Sequence, residues 1–393
     1  MSIKISNVVK KINISPTLNL TAITNDLKKK GKDIIVLSSG ELEKDTPDYI
    51  KKNAIKAIQN GYTKYTPVDG ITDLKDSIIK KYERENNLRY TREEVIVSSG
   101  AKQSIFNLMK AILNPNDEVI ITAPYWVSYP EIAKINKAKV VVLNTFYEDG
   151  FKLKPSDLEK KINNKTKMII INSPSNPTGT IYSKSELKDI AKIVIKHPNI
   201  LLLSDDVYEH IIWDKKFFNI VMAEPKIAKQ TVIISSLSKS FSMTGWRIGY
   251  AVGPSYIIFA MKIVQSQSTS NASSISQWAA LSALQELDNT FIENNIEELK
   301  IKNKYMIDEL NGIEGIKCLK SYSTFYLFPN IKVLLKNLKN IKDDIQFCNY
   351  MIKTAGVSLV PGSFFGSPGH FRISFVKDLQ ILEKGIERIK KFI

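Results

Sequence analysis

The chain has 393 residues, 43% of them hydrophobic, enough for a large buried core and more than one domain. No apolar run approaches the roughly 20 residues that cross a bilayer, and residues 1–30 lack the apolar stretch of a signal peptide. The net charge of +16 raises nucleic-acid binding, but only six of the 56 cationic residues are arginines, and the lysines are dispersed without an aromatic-interleaved basic block. Neither a nucleic acid nor a membrane is therefore expected as a partner. Cys318 and Cys348 form no disulfide framework, and His197, His210 and His370 are too scattered for a metal site. A reduced, cytoplasmic setting follows as the expectation.

Residues 1–45 are too few for a domain and read as an N-terminal arm that joins part of a small domain. From Asp48 to Leu284, short apolar runs alternate with helix-period segments, the pattern of βαβ units around a mostly parallel sheet. Strands are predicted at Glu94–Val97, Val119–Thr122, Val140–Leu143, Met168–Asn172, Ile200–Ser204, Thr231–Ser235 and Ile248–Val252. Helices are predicted from Lys102 to Leu113 and after Ser183, which forms a capping box with Glu186. A charged helix over Asn289–Leu310 leads into strands at Phe325–Phe328 and His370–Phe375 and helices at Asp343–Ala355 and Leu379–Phe392. The division predicted is 1–45, a large domain over 46–288, and a smaller α+β domain over 289–393.

Five clusters carry chemistry. In Ser235-Ser236-Leu237-Ser238-Lys239, a lysine follows an apolar strand inside a loop of small hydroxyl residues, with Arg247 eight residues on. Once deprotonated by burial and cationic neighbours, such an amine can attack a carbonyl as a Schiff-base former; alone it would be a surface lysine. Asp205 and Tyr208 end another apolar run as Asp-x-x-Tyr, with Asp206 beside them; a lone Asp there is ordinarily a cap or turn residue. Pro174-Ser175-Asn176-Pro177-Thr178-Gly179 is a rigid turn. The junction Ser98-Ser99-Gly100-Ala101-Lys102 opens a helix whose first N–H groups favour an anion. Arg372 lies in an apolar strand and needs an anionic partner, a substrate carboxylate or a structural Asp or Glu.

These motifs, in this order over essentially the whole chain, resemble the class I (fold-type I) pyridoxal-phosphate-dependent aminotransferases, closest to the bacterial aspartate aminotransferases that carry Pro-Tyr-Trp-Val-Ser-Tyr-Pro and Asn-Pro-Thr-Gly. The resemblance implies the α/β fold of that family: a large domain with a mostly parallel seven-stranded sheet flanked by helices, plus the small domain. It implies pyridoxal 5'-phosphate covalently held by Lys239, which also moves the proton. Asp205 would face the pyridine nitrogen, Tyr208 and Asn176 the phenolic oxygen, and Trp126 the ring face. Gly100, Ala101, Lys102, Ser236 and Arg247 would hold the phosphate, with Tyr65 reaching in from the other subunit of a homodimer. Arg372 and the Gly40 backbone would take the substrate α-carboxylate, alongside Trp126 and Asn176, and Lys102 the distal carboxylate of an acidic substrate.

Aspartate:2-oxoglutarate transamination by a ping-pong route is the implied activity, with amino acids and 2-oxo acids as small-molecule partners. The alternatives are another amino-acid or prephenate aminotransferase, a β-lyase of the same fold, and a regulatory or nucleic-acid-binding protein with an aminotransferase-like body. The chain departs from the family pattern at Leu42-Glu43-Lys44, where Pro-Asp-Phe is usual. It departs again at Ser321 and Ser323-Thr324, where Pro and Gly-Ala are usual.

Overall fold

The structure, a computed structural model, describes residues 3–14, 16–285 and 289–393. The predicted boundary at 288/289 therefore touches residues outside the described set. Twelve strands are described: β1 (Ile35–Val36), β2 (Val95–Ser98), β3 (Glu118–Ala123), β4 (Lys139–Asn144), β5 (Thr166–Asn172), β6 (Leu201–Asp205), β7 (Thr231–Ser236), β8 (Gly249–Val252), β9 (Tyr326–Leu327), β10 (Val357–Ser358), β11 (Val360–Pro361) and β12 (Phe371–Ser374).

Seven of them form one sheet in the order β2-β8-β7-β6-β5-β3-β4. Only β8 runs antiparallel to its neighbours, β2 and β7; the remaining pairs are parallel. Along β5, Ile169 and Ile171 enter one apolar cluster while Met168 and Ile170 enter another. Both sheet faces are thus covered, which is why these strands read as continuous apolar runs rather than alternating ones. Helices 101–112 and 255–266 pack on one face through Ile105, Leu108, Ile257 and Met261. Helices 72–81 and 184–195 pack on the other through Leu74, Ile78, Leu187 and Ile190. The Ser183–Glu186 capping box is formed at the start of the second of these.

A second apolar cluster joins the helix Thr290–Asn311 (Leu299, Met306), β9, β12, the helix Leu379–Phe392 (Leu382, Ile386) and β1. Here β11-β12-β9 form a small antiparallel sheet, and β1 pairs in parallel with β10. The N-terminal arm is held to this part of the molecule by that pairing and by Leu20 and Ile34, which pack with Val360 and Phe365. Tyr208 and Ile211, on the loop after β6, also belong to the second cluster. The helix predicted as one piece over Asp343–Ala355 is an α-helix to Tyr350 followed by a π-helical turn, Met351–Ala355. No helix among the described residues is long and apolar enough to cross a membrane.

Candidate active site

Parallel strands end together at one edge of the sheet, so side chains distant in sequence are brought side by side. Asn172 at the end of β5 is in register with Asp205 at the end of β6, and β7 ends beside them at Ser236. A cavity of about 510 Å³ opens here, lined by residues from these strand ends, the helix start at Ala101, the N-terminal segment 38–41 and β12. Gly40, Ala101, Lys102, Trp126, Asn176, Asp205, Tyr208, Ser236, Lys239, Arg247 and Arg372, all singled out in the sequence, line this cavity. Gly100 lies just behind it. Tyr65 does not line it and is 90% exposed.

Lys239 is half-buried and its Nζ donates to the Gly40 carbonyl at 2.5 Å. Loss of water pushes its pKa down to about 8; Arg372, Arg247 and Lys102 reinforce the shift and Glu41 opposes it. The amine is thus partly neutral near physiological pH, as a nucleophile or base requires. Gly40 was expected to offer its N–H to a substrate; the contact seen is through its carbonyl, to Lys239.

Asp205 is buried with no cation beside it. Its carboxylate accepts from the Tyr129 hydroxyl and from the Val207 N–H at 3.2 Å. Desolvation nonetheless raises it to about 6. Asp206 is aimed differently: one oxygen accepts from Ser204 at 2.7 Å and the other is buried without a partner. The Tyr208 hydroxyl lies 3.1 Å from that of Tyr326.

Arg372 is 3% exposed, and no carboxylate among the described residues pairs with it. Its two terminal nitrogens donate to Asn176 Oδ1 and the Ser38 carbonyl, each at 3.0 Å. Nε has no partner, and the guanidinium lies 4.3 Å from the Tyr326 ring centre and 5.2 Å from that of Phe365. A buried guanidinium left unneutralised at a cavity wall is a site for a carboxylate.

At the opposite wall, the helix from Ala101 begins at Gly100, whose φ of +86° few other residues adopt. A Cβ at Gly100 would stand 2.4 Å from an Arg247 nitrogen, and one at Gly249 would stand 2.2 Å from the Ala101 nitrogen. Both glycines let backbone, guanidinium and helix start close into a cradle. Gln103 and Ser104 donate their N–H groups to the Gly100 carbonyl, whereas those of Ala101 and Lys102 meet no acceptor among the described residues. Arg247 donates to the Thr244 carbonyl at 2.9 Å and has no carboxylate partner among the described residues. Two free N–H groups, an unpaired guanidinium and the Ser236 hydroxyl make an anion site that suits a phosphate. Lys102 Nζ stands 5.0 Å from the Trp126 ring centre; desolvation and Arg247 lower its pKa.

Several residues of the site escaped the sequence reading. Tyr129 on Asp205 stands in the Pro-Tyr-Trp-Val-Ser-Tyr-Pro string that was read only for its tryptophan. Asn172 donates to the Asp205 carbonyl at 3.0 Å and accepts the Asn176 N–H at 2.9 Å, joining two strand ends. The departures at Ser321 and Ser323 have a structural account: the Ser323 hydroxyl donates to the Gly179 carbonyl at 2.7 Å, bracing the turn that carries Asn176, while the Ser321 hydroxyl lies between the Ser323 carbonyl at 3.0 Å and the Gly179 carbonyl at 3.3 Å.

A doubly covered α/β sheet whose strand ends bring a depressed lysine amine between two unsatisfied anion sites defines an enzyme acting on carboxylate-bearing carbonyl or amino compounds. Residues 32–389 match the aminotransferase class I and II family model. The chain belongs to this family, has its fold-type I architecture, and is a transaminase. It is 46% identical to the aspartate/prephenate aminotransferase of Nitrosomonas europaea over 98% of each chain. The crystal structure of the Rhizobium meliloti aspartate aminotransferase superposes with a TM-score of 0.95 at 39% identity, covering 99% of this chain and 98% of that one. The Thermus thermophilus aspartate aminotransferase with maleate superposes at 0.94, with 35% identity and full coverage of both.

Proposed function

We propose that the protein transfers the amino group of aspartate to 2-oxoglutarate, with pyridoxal 5'-phosphate at Lys239. The observation that carries this reading is the set of three cations, Arg372, Arg247 and Lys102, that line one cavity with Lys239 and have no carboxylate partner among the described residues. Three anionic groups are therefore wanted. The α-carboxylate of an amino acid fits Arg372, a phosphate fits Arg247 with the Ala101 and Lys102 N–H groups, and a distal carboxylate fits Lys102.

The residues present suit the cofactor. Asp205, a carboxylate without a cation, would face the pyridinium nitrogen, and Trp126 the ring. Tyr208 and the amide nitrogen of Asn176, which donates to no group among the described residues, would face the phenolic oxygen. When bound, the cofactor supplies an aldehyde that condenses with amines and a ring that draws electron density from the substrate α-carbon. Arg372 would orient the α-carboxylate, Asp205 would hold a proton at the pyridine nitrogen, and the Lys239 amine would serve as the base that moves the substrate α-proton. The N-terminal residues Ser38–Glu41 and Phe365 line the site together with these charges.

The Thermus relative solved with maleate, a dicarboxylate, supports recognition of acidic substrates. The Nitrosomonas relative's name supports prephenate as a second oxo acid, since its remote carboxylate could use Lys102 in the same way. A homodimer would account for the exposed apolar side chains Ile55 and Ile58 on the helix Asp48–Gln59 and Tyr256, Phe259 and Ile263 on the helix Ser255–Ser266, and for Tyr65 standing in solvent in a single chain. The division into 46–288 and 1–45 with 289–393 is supported by the two main apolar clusters, which follow it except that Val207, Tyr208, Ile211 and Trp213 join the small unit's cluster and Ile292 the large unit's, and two buried free thiols accord with the cytoplasm. The test is a donor panel on Lys102→Ala: kcat/KM for aspartate falls at least roughly tenfold, about 1.4 kcal/mol, with neutral donors little changed. An equal loss for both donor classes would remove the aspartate assignment.

A further inference from the structure

Against the two loops that carry Asp205, Tyr208 and Lys239 lies a second group of charges that does not line the cavity. Lys81, at the end of the helix Thr72–Lys81, is 0% exposed. Its ammonium donates to Glu209 in a short contact and to Asn86 Oδ1 at 3.1 Å, and lies 3.6 Å from Glu85. Glu209 in turn accepts from the Ser235 hydroxyl at 2.8 Å. A parallel arm runs from Glu85 to His210 at 2.9 Å and from His210 to the Ser240 hydroxyl at 3.0 Å. Glu85, Glu209 and His210 converge within 4.8 Å, and the Lys81 ammonium supplies the positive charge among them.

Each end of this network is one residue from the site. Glu209 and His210 directly follow Tyr208; Ser235 precedes Ser236; Ser240 follows Lys239. An ion pair this deep is rarely needed for stability, because apolar side chains of similar volume serve as well or better. What it offers instead is geometry: two hydrogen-bonded arms that tie the β6 loop to the β7 loop. We propose that Lys81, Glu209, His210 and Glu85 are positioning residues that set where Lys239 stands relative to Asp205 and Tyr208. This rests on the assignment of Lys239 and Asp205 as the cofactor-facing groups.

The experiment compares the parent with the charge-free double variant Lys81→Met/Glu209→Leu and with His210→Ala, all loaded with pyridoxal phosphate. Borohydride labelling of Lys239 in the parent separates the two readings: no label there ends the functional assignment, whatever the variants do. With the label present, the double variant keeps the apoprotein's thermal midpoint within about 4 °C of the parent. Its kcat falls at least roughly tenfold with KM within about twofold. The pH midpoint of the cofactor's visible band moves by at least about half a unit. A double variant that recovers the thermal midpoint together with parent kcat and band midpoint makes the pair mere packing and overturns the proposal. Should the double variant not fold, His210→Ala decides, since that side chain is partly exposed and removes only one arm. A band shift with a kcat loss of about threefold or more supports the proposal; parent-like values of both overturn it.

Discussion

Arg372 and Lys81 are two cations in the interior, 3% and 0% exposed. The Lys81 ammonium is itself answered: Glu209 and Glu85 flank it, and Asn86 Oδ1 accepts a further hydrogen bond from it. Around Arg372 the neighbours are amide and carbonyl oxygens and aromatic faces, and Nε is left without a partner. The carboxylates divide in the same way. Glu85, beside His210 and Lys81, is drawn down to about 2, whereas Asp205, with no cation, is pushed up to about 6. Incomplete neutralisation marks the place where a ligand finishes the electrostatics; complete neutralisation marks a place where the protein has already done so.

The largest expected effect breaks the comparison from the paired side. Lys81→Met alone leaves the Glu209 carboxylate buried against Ser235 with no cation, and should cost about 3–5 kcal/mol of stability in urea unfolding. Arg372→Lys should leave the unfolding curve nearly in place and instead lower kcat/KM roughly a hundredfold, about 2.7 kcal/mol, because a point charge does not reproduce the guanidinium fork. Stability losses of similar size in both variants would erase the distinction.

The carboxylates sharpen it through pH. Asp205 has a folded pKa above its ordinary 3.8, so its share of apoprotein stability is present below pH 3.8 and is lost as pH rises through about 6. That loss should be about 3 kcal/mol; Asp205→Asn should flatten it, and bound cofactor should remove it. Glu85 has the opposite sign: its share is present above pH 4.5 and is lost as pH falls toward about 2. The smallest effect is on cofactor retention. Arg247→Lys should weaken pyridoxal phosphate binding about tenfold, seen as apoenzyme after dialysis, whereas Arg372→Lys should retain its cofactor.

The two regions were unequally legible in the sequence. The cavity residues fall in short strings, Ser-x-x-Lys, Asp-x-x-Tyr and Asn-Pro-Thr-Gly, because strand ends and tight turns demand particular residues at fixed spacing. Apolar runs likewise announced the sheet strands within a residue or two. Lys81 and Glu209 are 128 positions apart and carry no local pattern, so only tertiary structure pairs them. The same holds for Tyr129 and Asp205 and for the antiparallel insertion of β8 between β2 and β7. Thr324 was legible only as a departure from the pattern the resemblance implies: it holds a left-handed φ of +61° directly before Phe325 and Tyr326.

The most direct test of the central claim is a mass map after borohydride reduction. Purified protein incubated with pyridoxal 5'-phosphate should turn yellow, lose that colour on reduction, and yield one modified peptide with the cofactor on Lys239. A label on another lysine, or none at all, would contradict the assignment of this cavity as the transaminase site.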